Sequence, residues 1–243
     1  NAIAMCGTVD TSFTLTNLVN LPYVVFDDIT VHTDDTLTIE AGTIMKFNGI
    51  HTDLIVLGKI DVNGTNGNPV TFTSINDDNF GGDTNADGNS TSPDPGNWGG
   101  IYLNGYLTDQ GIGEFDWCNI RYGGYQFGDT KSNVNFHYSD TGHFINSISE
   151  YSFKEALKIS NCSPSINNST FSYSNDYGVY CDIYDGTITQ NIFSNNGDDG
   201  LYIMGNCTPT ITYNTFNNND GYGAYLNNIH LTSMPGNTGA ANT

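Results

Sequence analysis

The sequence predicts an all-β protein built as a solenoid of short, stacked, parallel strands. Three observations support this prediction: a composition rich in strand and turn formers, a regular repeat in the second half, and clusters of Asn, Asp and Gly between alternating segments. Long helices are hard to place because Ala, Lys, Glu and Arg are scarce.

The chain has 243 residues and carries 6 Lys and Arg against 26 Asp and Glu, so its formal net charge is −20. Such a surface repels nucleic acid and anionic membranes, and we expect neither as a partner. No apolar run reaches the roughly 18 residues that a membrane span needs, so no membrane insertion is expected. The chain starts at Asn1 without a signal sequence, and we interpret it as a mature or trimmed form.

The clearest repeat lies in the second half of the chain. The segments "INNSTFSYSNDYGVYCDI", "ITQNIFSNNGDDGLYIMG" and "ITYNTFNNNDGYGAYLNN" begin at Ile166, Ile188 and Ile211. Each contains a Phe and later a Gly followed by an apolar residue in the same phase. A unit this short cannot bury its own core, so successive units must stack with like residues over like.

The same phase extends backwards through "FDWCNIRYGG" and "HFINSISEYSFKEALKIS", where it places Ile120 and Ile148 at the Phe position. Two residues earlier comes a small polar or Cys position whose side chains suit bonding along the stack: Cys118, Asn146, Ser169, Asn191 and Asn214. The first half shows strand alternation with Gly at the bends. We count about eight or nine coils, which at ~4.8 Å per coil gives a rod about 40 Å long.

The predicted organisation has three parts. Residues 1–22 are apolar enough to cap one end of the solenoid or to be donated to a neighbouring subunit as a strand. Residues 23–232 form the parallel β-helix, interrupted by an Asp- and Gly-rich loop at 76–97. Residues 233–243 form a C-terminal tail that is too small and polar to cap well.

The five cysteines do not settle the cellular compartment. Cys162 and Cys207 occupy matching contexts, "SNCSPSI" and "GNCTPTI", two turns of the repeat apart. Stacked strands separate such positions by about 9–10 Å, which is too far for a disulfide, so buried free thiols are expected. A bond from Cys6 to a later cysteine stays open.

A family resemblance adds to this interpretation. The elements "LTIEAGTIMKF", "LIVLGKIDVNGTNGNPVTFTS", "DDNFGGDTNADG", "GNWGGIYLNG" and "IRYGG", in that order, resemble secreted bacterial right-handed parallel β-helix repeat proteins of the pectate-lyase-like superfamily. The resemblance covers about residues 20–230. It implies a right-handed solenoid, a secreted protein that is extracellular or at the cell surface, and a non-catalytic part in a large surface or adhesion protein.

The acidic loop contains "DTNADGNSTSPD", which places oxygen ligands at the spacing of a calcium-binding loop. Gly88 allows the sharp bend, and Pro93 and Pro95 exclude the helix that would follow in an EF-hand. The alternative is a solvated turn, but the resemblance implies that this element is a fixed part of the family pattern. We predict a structural Ca²⁺ site with the ligands Asp77, Asp78, Asp83, Asn85, Asp87, Asn89 and Asp94.

Catalytic residues are not predicted. A polysaccharide lyase needs a basic side chain beside its metal, and the single arginine, Arg121, is expected on the solvent face of a strand. Asp198 and Asp199 resemble the paired carboxylates of polygalacturonases, but equivalent turns in neighbouring coils also carry Asp. The Gly-His-Gly and Arg-x-Lys elements of that family are absent from the sequence.

Two non-catalytic roles remain, with a polysaccharide-binding or lyase-like protein as a further alternative. In the first role, an adhesive module, exposed tyrosines contact polysaccharides or other surface proteins; Tyr180, Tyr202 and Tyr225 share a phase and are predicted to form an outward column. The other tyrosines expected at the surface are Tyr122, Tyr125, Tyr173, Tyr177, Tyr213 and Tyr222. In the second role, copies of the protein assemble end to end into an extracellular filament.

Overall fold

The computed structural model describes residues 1–19, 21–88, 90–125, 132–139, 141–231 and 233–243. These residues form 25 β-strands and no helix, which confirms the predicted all-β class. It follows that no helix in the described ranges could span a membrane.

The strands of the first half are three to nine residues long, and the segments between them are short except for 75–97 and 122–133. They are β1 Ile3–Val9, β2 Phe13–Leu15, β3 Tyr23–Val31, β4 Thr36–Glu40, β5 Ile44–Phe47, β6 Gly49–Val56, β7 Lys59–Asn63, β8 Val70–Ser74, β9 Trp98–Asn104, β10 Ile112–Asp116, β11 Cys118–Arg121 and β12 Val134–His137. The loop at 76–97 therefore joins β8 to β9, as predicted.

The second half repeats a pattern of three strands per turn. Its strands are β13 Gly142–Ile145, β14 Ile148–Glu150, β15 Leu157–Ser160, β16 Ser165–Asn167, β17 Thr170–Ser172, β18 Val179–Asp182, β19 Thr187–Thr189, β20 Ile192–Ser194, β21 Leu201–Cys207, β22 Thr210–Thr212, β23 Thr215–Asn217, β24 Ala224–Ile229 and β25 Thr238–Ala240.

The pairing makes a solenoid with three faces. Strands β2, β4, β7, β10, β13, β16, β19 and β22 stack into an eight-stranded sheet along one face. The other strands form a seventeen-stranded sheet that covers two faces, because long strands near the N-terminus, such as β3, pair with two later strands. All pairings between these strands are parallel. The described residues make about 10 turns, slightly more than the predicted eight or nine, because the terminal strands β1 and β25 also join the stack.

The predicted repeat is confirmed residue by residue. Ile166, Ile188 and Ile211 lie side by side in adjacent strands. Phe171 pairs with Phe193, and their ring centroids are 5.5 Å apart. These side chains are fully buried, because they occupy the positions of their strands that point into the solenoid, where apolar area is removed from water.

The predicted phase is wrong by one residue in the coil that contains β14. Ser149, not Ile148, lies between Ile120 and Phe171 in the stack. Ser149 is buried because its hydroxyl donates to the Ala156 carbonyl at 2.7 Å, while the Ile148 residue is 37% exposed. A shift of one residue exchanges the inner and outer faces of a strand.

The same shift moves one member of the predicted polar ladder. Ser147, not Asn146, follows Cys118, and its hydroxyl accepts the Cys118 N–H at 3.0 Å. The ladder then continues through Ser169, Asn191 and Asn214, where each side chain accepts the backbone N–H of the preceding coil. These bonds satisfy buried amides at the corner of every turn.

Both ends of the chain join the stack of strands. Strand β1 pairs with β3 and β2 pairs with β4 of the same chain, so these two strands cover the first turn. Strand β25 pairs with β23 and extends the stack through part of the predicted tail.

All five cysteines are free, so the alternative of a bond from Cys6 is wrong. Burial raises the pKa of the Cys118 thiol to about 12 and that of Cys162 to about 11, and both stay protonated at neutral pH.

Replacing Asn214 by Ala tests the contribution of the polar ladder. Its side chain accepts from the Asn191 amides at 2.9 and 3.1 Å and donates to the Ile188 carbonyl at 2.9 Å, all inside the protein. The variant leaves these groups unpaired, so we expect a loss of about 3 kcal/mol in the free energy of unfolding. Urea titration followed by circular dichroism measures it.

Asn227→Ala is the matched control because Asn227 lies exposed on β24. Its unfolding free energy should change by less than about 0.5 kcal/mol. Equal losses in the two variants would show that the ladder contributes no more than any surface amide.

Candidate functional site

The acidic loop between β8 and β9 brings three carboxylates together. Oxygen atoms of Asp78, Asp83 and Asp87 all lie within 4.8 Å of one another. The loop holds this shape through the Asp83 carboxylate, which accepts the backbone N–H groups of Asp87 at 3.1 Å and Gly88 at 3.0 Å. Gly88 has a φ of +76°, so the predicted sharp bend lies where the left-handed region favours glycine.

Asn85 completes the cluster and leaves one oxygen without a partner. Its Nδ2 donates to Asp87 Oδ2 at 2.9 Å, to Thr91 Oγ1 at 3.2 Å and to Asn76 Oδ1 at 3.4 Å. These acceptors fix the amide orientation, and the buried Asn85 Oδ1 has no hydrogen-bond partner. Asp78 Oδ1 is buried and unpartnered in the same way. Carboxylate and amide oxygens that accept no hydrogen bond suit a hard cation such as calcium as ligands.

The other predicted ligands lie apart from this cluster. Asp77 is fully buried, accepts the Thr73 hydroxyl at 2.7 Å and faces Arg121 at 3.7 Å. Asp94 is exposed, and its backbone N–H donates to Asn97 Oδ1 at 2.9 Å. Asn89 lies outside the described residues. The calcium-loop spacing therefore brings together Asp83, Asn85 and Asp87 and leaves Asp94 out.

Lys46 lies buried beneath the loop, and the sequence interpretation missed it. Its Nζ donates to the Gly82 carbonyl at 2.6 Å and to Thr84 Oγ1 at 2.9 Å. Burial lowers the pKa of the ammonium, while Asp78 and the neighbouring Asp77 and Asp83 oppose that shift. Strand alternation could not have found it, because Lys46 lies between the inward-facing Met45 and Phe47 and so points to the outer face, where the loop covers it. Lys46 supplies part of the positive charge that offsets the loop.

Arg121 supplies a second cation, and the prediction that it faces solvent is wrong. Its side chain is 16% exposed and pairs with Glu150 at 2.9 Å as well as with Asp77. The guanidinium carbon lies 5.2 Å from the ring centroids of Phe80 and Tyr122 and 5.5 Å from that of Tyr151. The acidic loop folds over the end of β11 and covers this side chain, which alternation along one strand cannot predict.

The predicted tyrosine column is present on a face covered by the seventeen-stranded sheet. Tyr180, Tyr202 and Tyr225 occupy equivalent positions of β18, β21 and β24. Their rings stack with centroid distances of 5.4 and 5.3 Å and interplanar angles of 2° and 9°. Tyr177 and Tyr222 lie beside the column, at centroid distances of 5.0 Å from Tyr202 and 5.8 Å from Tyr225. We call these five residues the tyrosine stripe.

A second column of tyrosines lies at a corner between two faces. Tyr122, predicted at the surface, is buried and stacks on Tyr151 at 5.2 Å, which in turn stacks on the exposed Tyr173 at 5.0 Å. All three residues have φ values between +53° and +63°, so each bends the chain at the corner. This column was not predicted; the recurrence of tyrosine at Tyr151 and Tyr173, one repeat apart, was the available signal.

Comparison with known proteins agrees with this architecture. A family model described as "Right handed beta helix region" matches residues 97–238, which is more than half of the chain. The curated proteins contain no match, and neither do the solved structures.

Replacing Arg121 by Gln tests the buried charge cluster. The change leaves the carboxylates of Asp77 and Glu150 without their partner, and we expect a loss of about 3 kcal/mol in unfolding free energy at pH 7. Lys154→Gln is the control, since its 3.3 Å pair with Asp176 is more exposed, and it should cost less than about 1 kcal/mol. Similar losses in both variants would contradict a buried cluster.

The pH dependence gives this prediction a sign. Burial raises the pKa of the Glu150 carboxyl, and Arg121 opposes the rise. Because the folded-state pKa of Glu150 is raised, this residue contributes most to the free energy of unfolding at a pH below its unfolded-state pKa. That contribution is lost as the pH rises through the folded-state pKa. Without Arg121 that pKa rises further. The deficit of Arg121→Gln relative to the native protein should therefore shrink as the pH falls from 7 towards 4.5, the ordinary value for glutamate.

Proposed function

The chain belongs to the right-handed β-helix family, and from this premise we propose that it is an extracellular, non-catalytic module that adheres through its side faces and is stabilised by calcium. The family resemblance in its sequence supports the secreted or cell-surface location. The tyrosine stripe is the observation that carries the adhesive role.

The stripe has the properties of a contact surface. The rings of Tyr180, Tyr202 and Tyr225 form a stack of nearly parallel rings across three coils, and Tyr225 is 40% exposed. Tyrosine combines a large apolar ring with a hydroxyl and loses little conformational entropy on binding, which suits sugar rings and protein surfaces. Asp176, Asp198 and Asp199 lie close enough to raise the pKa of Tyr177, although burial is the larger cause. A neutral polysaccharide or an uncharged protein surface therefore fits better than an anionic partner.

The acidic loop supports the calcium proposal. Asp78, Asp83, Asp87 and Asn85 would hold the ion through their oxygens, and two of those oxygens have no hydrogen-bond partner in the described chain. Calcium would supply structural cross-linking of the loop, because it binds oxygens that otherwise repel one another. Lys46 already offsets some of this charge, which limits the affinity the site can reach.

The non-catalytic assignment draws support from Arg121. A basic side chain that abstracts a proton must reach the substrate, whereas Arg121 is paired with two carboxylates and bordered by three aromatic rings. Its role in this arrangement is to hold the acidic loop against β11 and β14.

Replacing Tyr202 and Tyr225 together by Ala tests the adhesive surface. We expect binding to immobilised neutral polysaccharides, such as films of cellulose or mannan, to fall by at least about tenfold, because exposed aromatic anchors dominate such contacts. Surface plasmon resonance on the coated films measures it.

Tyr213→Ala is the matched control, since Tyr213 is exposed outside the stripe. It should bind as the native protein does. Full binding by the double variant, with an unchanged melting temperature, would remove the stripe as the contact surface.

Replacing Asp83 and Asp87 together by Asn tests the calcium site. At a hundredfold excess over Kd, calcium should stabilise the native protein by about 2.7 kcal/mol, a rise in Tm of roughly 5–10 °C. The double variant should lose this rise, so that its Tm is the same with calcium as with chelator. Scanning calorimetry with calcium and with chelator measures both states.

Asp94→Asn is the control from the same loop, because Asp94 lies outside the three-carboxylate cluster. Its Tm should respond to calcium as the native Tm does. A native protein whose Tm is the same with calcium and with chelator would rule out the calcium site.

A further inference from the structure

The corner column of tyrosines ends abruptly at Tyr173. The chain bends in the same left-handed conformation at Asn195 and Asn218, the equivalent corner positions of the next two coils. Asparagine is much smaller than tyrosine, and among the residues that the structure describes no aromatic ring covers the outer face of Tyr173, which is 46% exposed. The stack that spaces Tyr122, Tyr151 and Tyr173 by 5.2 and 5.0 Å thus lacks its next ring.

A cleft of about 520 Å³ occupies this place. Its volume lies within the range of roughly 300–1,000 Å³ that is typical of small-ligand sites. Tyr151 and Tyr173 line it together with Asn195 and Asn218 of the next coils, and Pro95 from the end of the acidic loop borders it. The residues that line the cleft include no member of the tyrosine stripe.

The remaining lining defines the chemistry. The side-chain amides of Asn175, Asn195 and Asn218 make no hydrogen bond within the described chain, so they can both donate and accept. Asp220 is the one charged side chain among the residues that line the cleft. A ring that stacks on tyrosine, carries several hydroxyls and bears no negative charge satisfies all of these groups.

We propose that this cleft binds one pyranose ring of a neutral saccharide, stacked on Tyr173 as the next member of the column and hydrogen-bonded to the corner asparagines. The apolar face of the sugar lies on the tyrosine ring, and its hydroxyls point to the amides and to Asp220. This site is separate from the tyrosine stripe, and either can exist without the other.

The test uses soluble neutral tetrasaccharides of glucose, mannose, galactose and xylose, with tetragalacturonate as the acidic comparison. Isothermal titration and saturation-transfer NMR measure binding to the native protein. At least one neutral tetrasaccharide should bind, and tetragalacturonate should bind at least tenfold more weakly because of Asp220 and the net charge of −20. Failure of all four neutral sugars, or preference for the acidic one, would overturn the proposal.

Two variants locate the binding site. Asn195→Tyr adds the missing ring at a corner position that already accommodates tyrosine in the two preceding coils, so it should fill the cleft and abolish binding without loss of Tm. Tyr173→Ala should weaken binding at least tenfold and serves as the readout if the first variant does not fold. Native-like affinity in a folded Asn195→Tyr variant, or in Tyr173→Ala, would overturn the assignment.

A further variant separates this site from the tyrosine stripe. Tyr225→Ala alters the stripe and should leave tetrasaccharide binding unchanged; loss of binding there instead would support the stripe and refute the cleft.

Discussion

The hydrogen-bonded register between successive coils governs both the interior and the surface of this protein. Each turn of the second half advances by one sequence repeat, so a side chain that recurs at that interval lies beside its own copy. Inside, this spacing stacks Phe171, Phe193 and Phe216 with centroids 5.5 and 4.9 Å apart. Outside, it stacks Tyr180 on Tyr202 at a similar distance. The core and the proposed adhesive stripe are therefore consequences of one geometric constraint.

The same register also brings like charges together. Carboxylates outnumber cations by 26 to 6, and an acidic residue that recurs at the repeat interval would lie beside its own copy and be repelled by it. The acidic loop concentrates the problem, and two of the cations lie under it. Arg121 forms ion pairs, whereas Lys46 donates to a carbonyl and a hydroxyl and acts on the carboxylates from a greater distance. An ion bound by Asp83 and Asp87 would thus strengthen a loop that the protein already holds partly in shape.

How far the sequence predicts the structure follows the same logic. Units of nearly constant length have strong internal signals, and their register was predicted correctly. The interval between Ile120 and Ser149 is longer than the repeat, so the sequence does not define which residue of the later coil pairs with Ile120. An error of one residue in this assignment placed Ile148 inside the solenoid. The prediction for Arg121 was wrong, and Lys46 was missed, because the burial of both side chains depends on the loop at 76–97, which folds back over strands distant in sequence.

Corner positions explain why a cleft can arise without disturbing the stack. Left-handed backbone geometry suits asparagine and is costly for tyrosine, by about 1–3 kcal/mol for residues held there. In the column that ends at Tyr173, stacking on the tyrosine of the neighbouring coil offsets this cost. The change to Asn195 relaxes the backbone of the next coil and at the same time uncovers an aromatic face. A local conformational preference, acting within a fixed register, is thus sufficient to create the exposed ring on which the proposed sugar would stack.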